Sequence, residues 1–241
     1  MDSGSEASSV HIFPASRVFL SGSGRPPGKI SASAIVDVVC AVRELNTAVV
    51  PSCIEAAAAV HDFFVKLNVE SVCLPVSVRA ANWRIGELLS FRRLRQNVKA
   101  LTSGLPVSRS RSDGQDSEDG WAGHLVVIVD GFWLVDPTLD FLAPLDPDLR
   151  LAPLVSDKGR RLLDGRRTAV ELDGTFVDYV RDDGNQRYVT APTWGQASRT
   201  KMLHWVLGTV VSNEASEAYR LLVARSRQAK RQKPGDGSGK P

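Results

Sequence analysis

Long apolar runs are missing from this chain of 241 residues. No stretch approaches the roughly 18 consecutive apolar residues that a membrane-spanning helix requires, so no membrane span is expected. Nor does the chain open on basic residues followed by an apolar run, so no signal peptide is expected. Cysteine is scarce: Cys40, Cys53 and Cys73 form an odd set that does not read as a disulfide framework. A reducing compartment, and hence a cytoplasmic location, fits that scarcity. Histidine is scarce too, and no two candidate ligands stand at a Cys-x-x-Cys or His-x-x-x-His spacing, so a metal enzyme is not expected. A phosphate loop is imitated at residues 21–30 but not made. Ser23 replaces its first glycine, Ile30 replaces its metal-binding hydroxyl, and Pro26 and Pro27 remove amides that would cradle phosphate. No cofactor is implied anywhere, and no internal repeat is found.

What is present suits one domain with tails. A hydrophobic share of 43% beside 24% charged residues is ordinary for a globular chain, and the length suffices to bury a core. Residues 1–29, rich in Ser, Gly and Pro, read as a flexible arm whose apolar island Val18-Phe19-Leu20 suits a short strand. The domain proper is expected over residues 30–225, and residues 226–241 as a basic flexible tail. From Ala224 onward Arg225, Arg227, Lys230, Arg231, Lys233 and Lys240 oppose only Asp236, so the remainder of a chain of net charge +3 is slightly acidic. A solvated, frayed end accounts for that run, and nucleic acid is not the expected partner.

Periodicity supplies the elements. Ile35, Val38, Val39, Val42 and Leu45 fall on one face of a helix over 33–45. A second helix follows residues 46–51, with a buried stripe of Ile54, Ala57, Ala58, Phe64 and Val65 and a stop at Asn68. Residues 72–78 are β-branched and read as a central strand in which Cys73 packs. Residues 80–101 are amphipathic and arginine-rich, which suits a helix. Residues 105–120, nearly all Ser, Arg, Asp and Gly from Arg109 onward, read as a disordered surface insert. Then 125–129 and 132–135 form a hairpin about Asp130-Gly131. Both its faces are apolar, so it belongs in a sheet covered on two sides. Further strands are expected at 168–172, 176–180 and 187–190, the last two joined by Asp182-Asp183-Gly184-Asn185. Helical pattern closes the chain over 198–228, broken near Ser212-Asn213. The class is therefore α+β, with N-terminal helices on an antiparallel sheet and C-terminal helices after it.

The second helix start carries the chemistry. Ser52 and Glu55 have the spacing of a capping box, which makes Cys53 the first helical residue. A thiol there faces the positive end of the helix dipole, which favours thiolate, although a buried structural cysteine can sit there too. A nucleophilic cysteine needs a base. His61 is on the same helix about 12 Å along its axis, too far to serve, and reads as a half-buried helix residue. His11 falls in the arm. His204, between Leu203 and Trp205, reads as a hydrogen-bonded core histidine. His124, at the mouth of the hairpin, remains. Asp136 can orient it, depending on the turn. A two-residue loop pairs His124 with Pro137 and puts Asp136 on the opposite face. A three-residue loop over Val129-Asp130-Gly131 sets Asp136 directly across from His124. The turn dipeptide permits both, and a catalytic purpose favours the second.

Two segments together carry a resemblance. Pro51-Ser52-Cys53-Ile54-Glu55-Ala56 opens a helix, and Gly123-His124-Leu125 leads through Asp130-Gly131-Phe132-Trp133 to Val135-Asp136-Pro137-Thr138. This order resembles the transglutaminase-like superfamily of papain-like Cys-His-Asp enzymes, which also contains the arylamine N-acetyltransferases. The likeness covers residues 46–138. It departs in having Pro51 and Ser52 where glycine is common, and in a long interval before His124 that the insert explains. By that resemblance Cys53 is the nucleophile, His124 the base and then the acid, and Asp136 the orienting group. The Cys53 amide would donate to an oxyanion, helped by the side chain of Asn46 or Thr47. The implied activity is thiol-dependent acyl transfer through an acyl-enzyme, as a cysteine protease or amide hydrolase or in protein-glutamine transfer. A peptide, a protein, or a small amide or thioester would be the substrate. An arylamine N-acetyltransferase-like activity ranks second, because no stretch reads as a coenzyme A site. A third reading is a transglutaminase-like domain kept for binding.

Overall fold

A computed structural model describes residues 19–21, 30–45, 53–82, 123–138, 153–172 and 175–232. The arm before residue 19, Asn46, Thr47, Ser52 with its half of the capping box, His11, the insert and the end of the tail lie outside the described residues. So does most of the segment 80–101, whose first residues continue a strand rather than begin a helix.

Two helices come first. α1 (Ala32–Leu45) starts where Ser31 Oγ accepts the Ala34 amide at 3.2 Å, one of the donors a helix start leaves unpaired. α2 (Cys53–Lys66) opens on the cysteine and is buried nearly all round. The exception corrects the expected stripe: Phe63 is buried while Val65 is exposed, because the side facing the sheet extends round through Val60 and Phe63. Asn68 ends the helix as expected. It adopts φ 53°, Val69 N donates back to Phe64 O, and Asn68 N donates to Val65 O, both at 3.0 Å.

Seven strands make one sheet: β1 (Phe19–Ser21), β2 (Ser71–Asn82), β3 (His124–Val129), β4 (Trp133–Asp136), β5 (Leu154–Ser156), β6 (Thr168–Leu172) and β7 (Thr175–Arg181). Their order is β1-β5-β4-β3-β2-β7-β6. Every neighbouring pair is antiparallel except β1 with β5. β6 approaches β1, so the sheet is nearly closed. Alternation along each strand then feeds two cores. Leu125, Val127, Val129, Trp133 and Val135 face α1, α2 and the C-terminal helices. Val76, Val78, Val126, Ile128, Leu134, Leu154, Val177 and Tyr179 point inside the curled sheet, where Leu162 of the short α3 (Gly159–Leu163) joins them. This is the two-sided cover that the apolar hairpin requires.

Two expectations fail in the second half. Residues 187–190 are not a strand but part of a 3-10 turn (Gln186–Thr190). β7 already has β2 on one side and β6 on the other, leaving no free edge for Tyr188-Val189-Thr190 to pair with. Tyr188 instead turns inward, edge-on to Trp194 at 5.0 Å. The C-terminal helices α4 (Gln196–Ser212) and α5 (Glu217–Gln232) break where expected, but α5 carries the chain through the first part of the basic run. Asp37 of α1 caps α5 from a distance, its Oδ2 accepting Glu217 N at 2.7 Å and Ala218 N at 3.2 Å. No described helix is long and apolar enough to cross a membrane.

Candidate active site

The hairpin register differs from both geometries that the turn dipeptide permits. Val129 pairs with Trp133, Ile128 with Leu134 and Val127 with Val135, so the loop is Asp130-Gly131-Phe132. Asp130 and Gly131 both take positive φ, 55° and 62°, and Phe132 N donates to Val129 O at 3.1 Å. Phe132 is the extra residue because its carbonyl is taken by Gly159 N at 2.8 Å, from the start of α3. Extended by one step, this register sets Asp136 across from Val126. His124 is then a diagonal neighbour on the same face rather than a direct one.

The diagonal suffices. The His124 Nε2–H donates to both Asp136 oxygens, Oδ1 at 2.9 Å and Oδ2 at 2.8 Å. A carboxylate can only accept, so Nε2 carries the hydrogen. Both side chains are sealed from solvent. Asp136 takes two further donors: Thr138 N at 3.3 Å on Oδ1, and the Tyr179 hydroxyl at 2.8 Å on Oδ2. A buried carboxylate is costly unless its lone pairs are matched, and here they are.

Cys53 is the remaining group acting on the imidazole. It is 5% exposed at the start of α2, which packs on β3. Burial alone would depress the pKa of His124. The charge and hydrogen bond of Asp136 outweigh it, and the hydrogen bond and charge of Cys53 add to them, so the pKa is raised above 6.5. With Nε2 committed to Asp136, the far side of the ring is left for the thiol. The three residues singled out in the sequence are thus brought together, the thiol and the carboxylate both acting on one imidazole.

The other candidates fall elsewhere. His61 is half-buried and hydrogen-bonded to Ser71 Oγ at 3.2 Å, its pKa lowered chiefly by burial. His204 is exposed, which corrects its reading as a core histidine. The buried face of α4 runs through Met202, Val206 and Val210, and His204 stands on the opposite side. Cys73 packs under α2, its thiol directed at Ala57 O at 3.9 Å, and burial pushes its pKa far up. Cys73 is only half-buried, but a thiol held protonated in this way is a poor nucleophile. Among the described residues no group of three or more His, Cys, Asp or Glu side chains is arranged to hold a metal ion.

Tyr179 is the site residue that sequence reading missed. A signal for it existed. In β7 Val177 and Tyr179 alternate with Asp178 and Val180, which marks Tyr179 as inward-facing, and a buried tyrosine hydroxyl needs a partner. In comparisons with known proteins, no family model, no curated protein and no solved structure matches this chain.

Proposed function

We propose that this chain is a thiol-dependent acyl-transfer enzyme with a papain-like Cys-His-Asp site on a transglutaminase-like fold. The observation that carries the reading is that Cys53 and Asp136 both act on His124, with a helix start supplying the thiol and two strands supplying its base and orienter. Helices before the sheet and a nearly closed antiparallel sheet behind it support the fold assignment.

In this reading His124 takes the Cys53 proton, giving a thiolate and an imidazolium held by Asp136. The sulfur attacks the carbonyl of an amide or thioester. The tetrahedral oxyanion collapses, the leaving amine or thiol takes the proton from His124, and an acyl-Cys53 remains. Water or an amine, deprotonated by His124, then attacks the acyl carbon and releases the thiol. The raised pKa of His124 suits it to hold a proton while the thiolate acts. The backbone amide of Cys53 is the oxyanion donor that the helix start offers.

The test is chemical. Wild-type protein treated with iodoacetamide at neutral pH should be alkylated at Cys53 well before Cys40 or Cys73, as mapped by peptide mass. An activated acetyl ester should leave an acetyl group on Cys53, and His124→Gln should slow that acylation by about a hundredfold or more. Equal labelling of all three cysteines would reject the enzyme reading.

A further inference from the structure

Tyr179 stands on β7, and β3 and β2 lie between that strand and β4 in the sheet order. Its hydroxyl bond to Asp136 therefore crosses the interior of the curled sheet rather than running along a ladder. The ring is fully buried. Donors divide the Asp136 carboxylate between them. Thr138 N holds Oδ1, Tyr179 holds Oδ2, and Nε2 of His124 lies almost equally close to both, at 2.9 and 2.8 Å. A carboxylate pinned on both oxygens from outside the ring cannot rotate about its Cβ–Cγ bond without breaking one of those bonds.

We propose that Tyr179 is a positioning residue, which clamps the Asp136 carboxylate and tempers its charge, and so sets the proton affinity of His124. The proposal rests on the catalytic reading of Cys53, His124 and Asp136. Burial, with the Asp136 charge and hydrogen bond, pushes the Tyr179 pKa well above its ordinary range. The hydroxyl thus remains a donor throughout neutral and mildly alkaline pH. The titratable groups acting on His124 are Asp136 from β4 and Cys53 from α2. Tyr179 acts on it only through Asp136. Its bond to Oδ2 is stronger when no imidazolium offsets the carboxylate charge, so the clamp favours the neutral ring. Removing the hydroxyl should then raise the pKa of His124.

The experiment follows the His124 ring nitrogens by NMR in the full chain labelled with ¹⁵N-histidine, through neutral and alkaline pH. Tyr179→Phe should move the His124 midpoint upward by about half a unit or more. A midpoint that stays put or moves down overturns the clamp, since lost packing alone would lower the thermal midpoint without moving the titration. If Tyr179→Phe does not fold, 3-fluorotyrosine at position 179 replaces it. This stronger donor should lower the midpoint, and no shift overturns the proposal. Iodoacetamide labelling of wild-type Cys53 keeps the two claims apart. A reactive Cys53 with no Tyr179 effect removes the clamp alone. An inert Cys53 beside a shift of the expected sign removes the catalytic reading and leaves Tyr179 controlling the proton of His124.

Discussion

His124 is sealed from solvent, yet its pKa is raised from 6.5 to about 10, because Asp136 and Cys53 outweigh the burial that would lower it. A group whose folded pKa lies above its unfolded one stabilises fully below the unfolded value. It loses that contribution as pH rises through the folded value. The stability due to His124 should therefore be complete below pH 6.5 and drain away toward pH 10. Wild-type protein should lose thermal midpoint across that window, while His124→Gln, which has nothing to titrate there, should lose less. A pH-independent difference between the two would contradict the ion-pair account. Asp136→Asn tests the same line from its other end. The amide keeps the shape but removes the charge that holds the proton on His124. Alkylation of Cys53 by iodoacetamide at neutral pH should fall about tenfold or more, the equivalent of one pKa unit. An unchanged rate would mean that Asp136 has no hold on the thiol's base.

β4 reaches its register through Gly159. A Cβ added there would lie 2.5 Å from Phe132 O, 2.7 Å from the Trp133 carbonyl carbon and 2.8 Å from Leu134 N, all backbone atoms of the loop and strand that carry Asp136. Backbone cannot swing aside as a side-chain tip can, so Gly159→Ala should cost about 2–3 kcal/mol or more. Gly131→Ala meets nothing closer than Glu70 Oε2 at 4.0 Å and should cost only the strain of φ 62°, about 1 kcal/mol. Urea melts of the two variants should rank them in that order. The same contact explains what was legible in the sequence. α1, α2, β6 and β7 could be read because each buries a face, and burial writes its own period. The hairpin could be read as a hairpin but not in its register, since the Gly159 amide that takes the Phe132 carbonyl arrives from far downstream. Residues 187–190 have strand composition and no edge to join. The three residues of β5 are too few to show a period. At the site, Cys53, His124 and Asp136 could be picked out by residue type and order. Tyr179 could be read as inward-facing but not as a partner of Asp136, because that link exists only once the sheet has curled.

At the scale of the whole molecule, the site straddles two cores. Cys53 belongs to the layer between α1, α2 and the outer sheet face, whereas Tyr179 belongs to the core inside the curled sheet. β3 is the partition, sending Leu125, Val127 and Val129 to one side and Val126 and Ile128 to the other. A strand shared in this way ties the halves together, so the two cores should unfold as one cooperative unit. The cysteines can report this. Cys73 is a residue of β2 packed against α2, its thiol on Ala57 O and its pKa driven up by burial. Its side chain is half-buried but its thiolate is suppressed in the folded state, so it should react with iodoacetamide chiefly from molecules that have opened. Unfolding free energy falls by about 1–3 kcal/mol per molar urea, so one molar urea should speed Cys73 labelling about fivefold or more. Cys53, reacting from the folded state through its imidazole, should respond far less. Parallel urea dependences for the two thiols would mean that Cys53 also waits for unfolding. An unresponsive Cys73 would mean that its thiol is reached without global opening, and the cooperative account would lose its support.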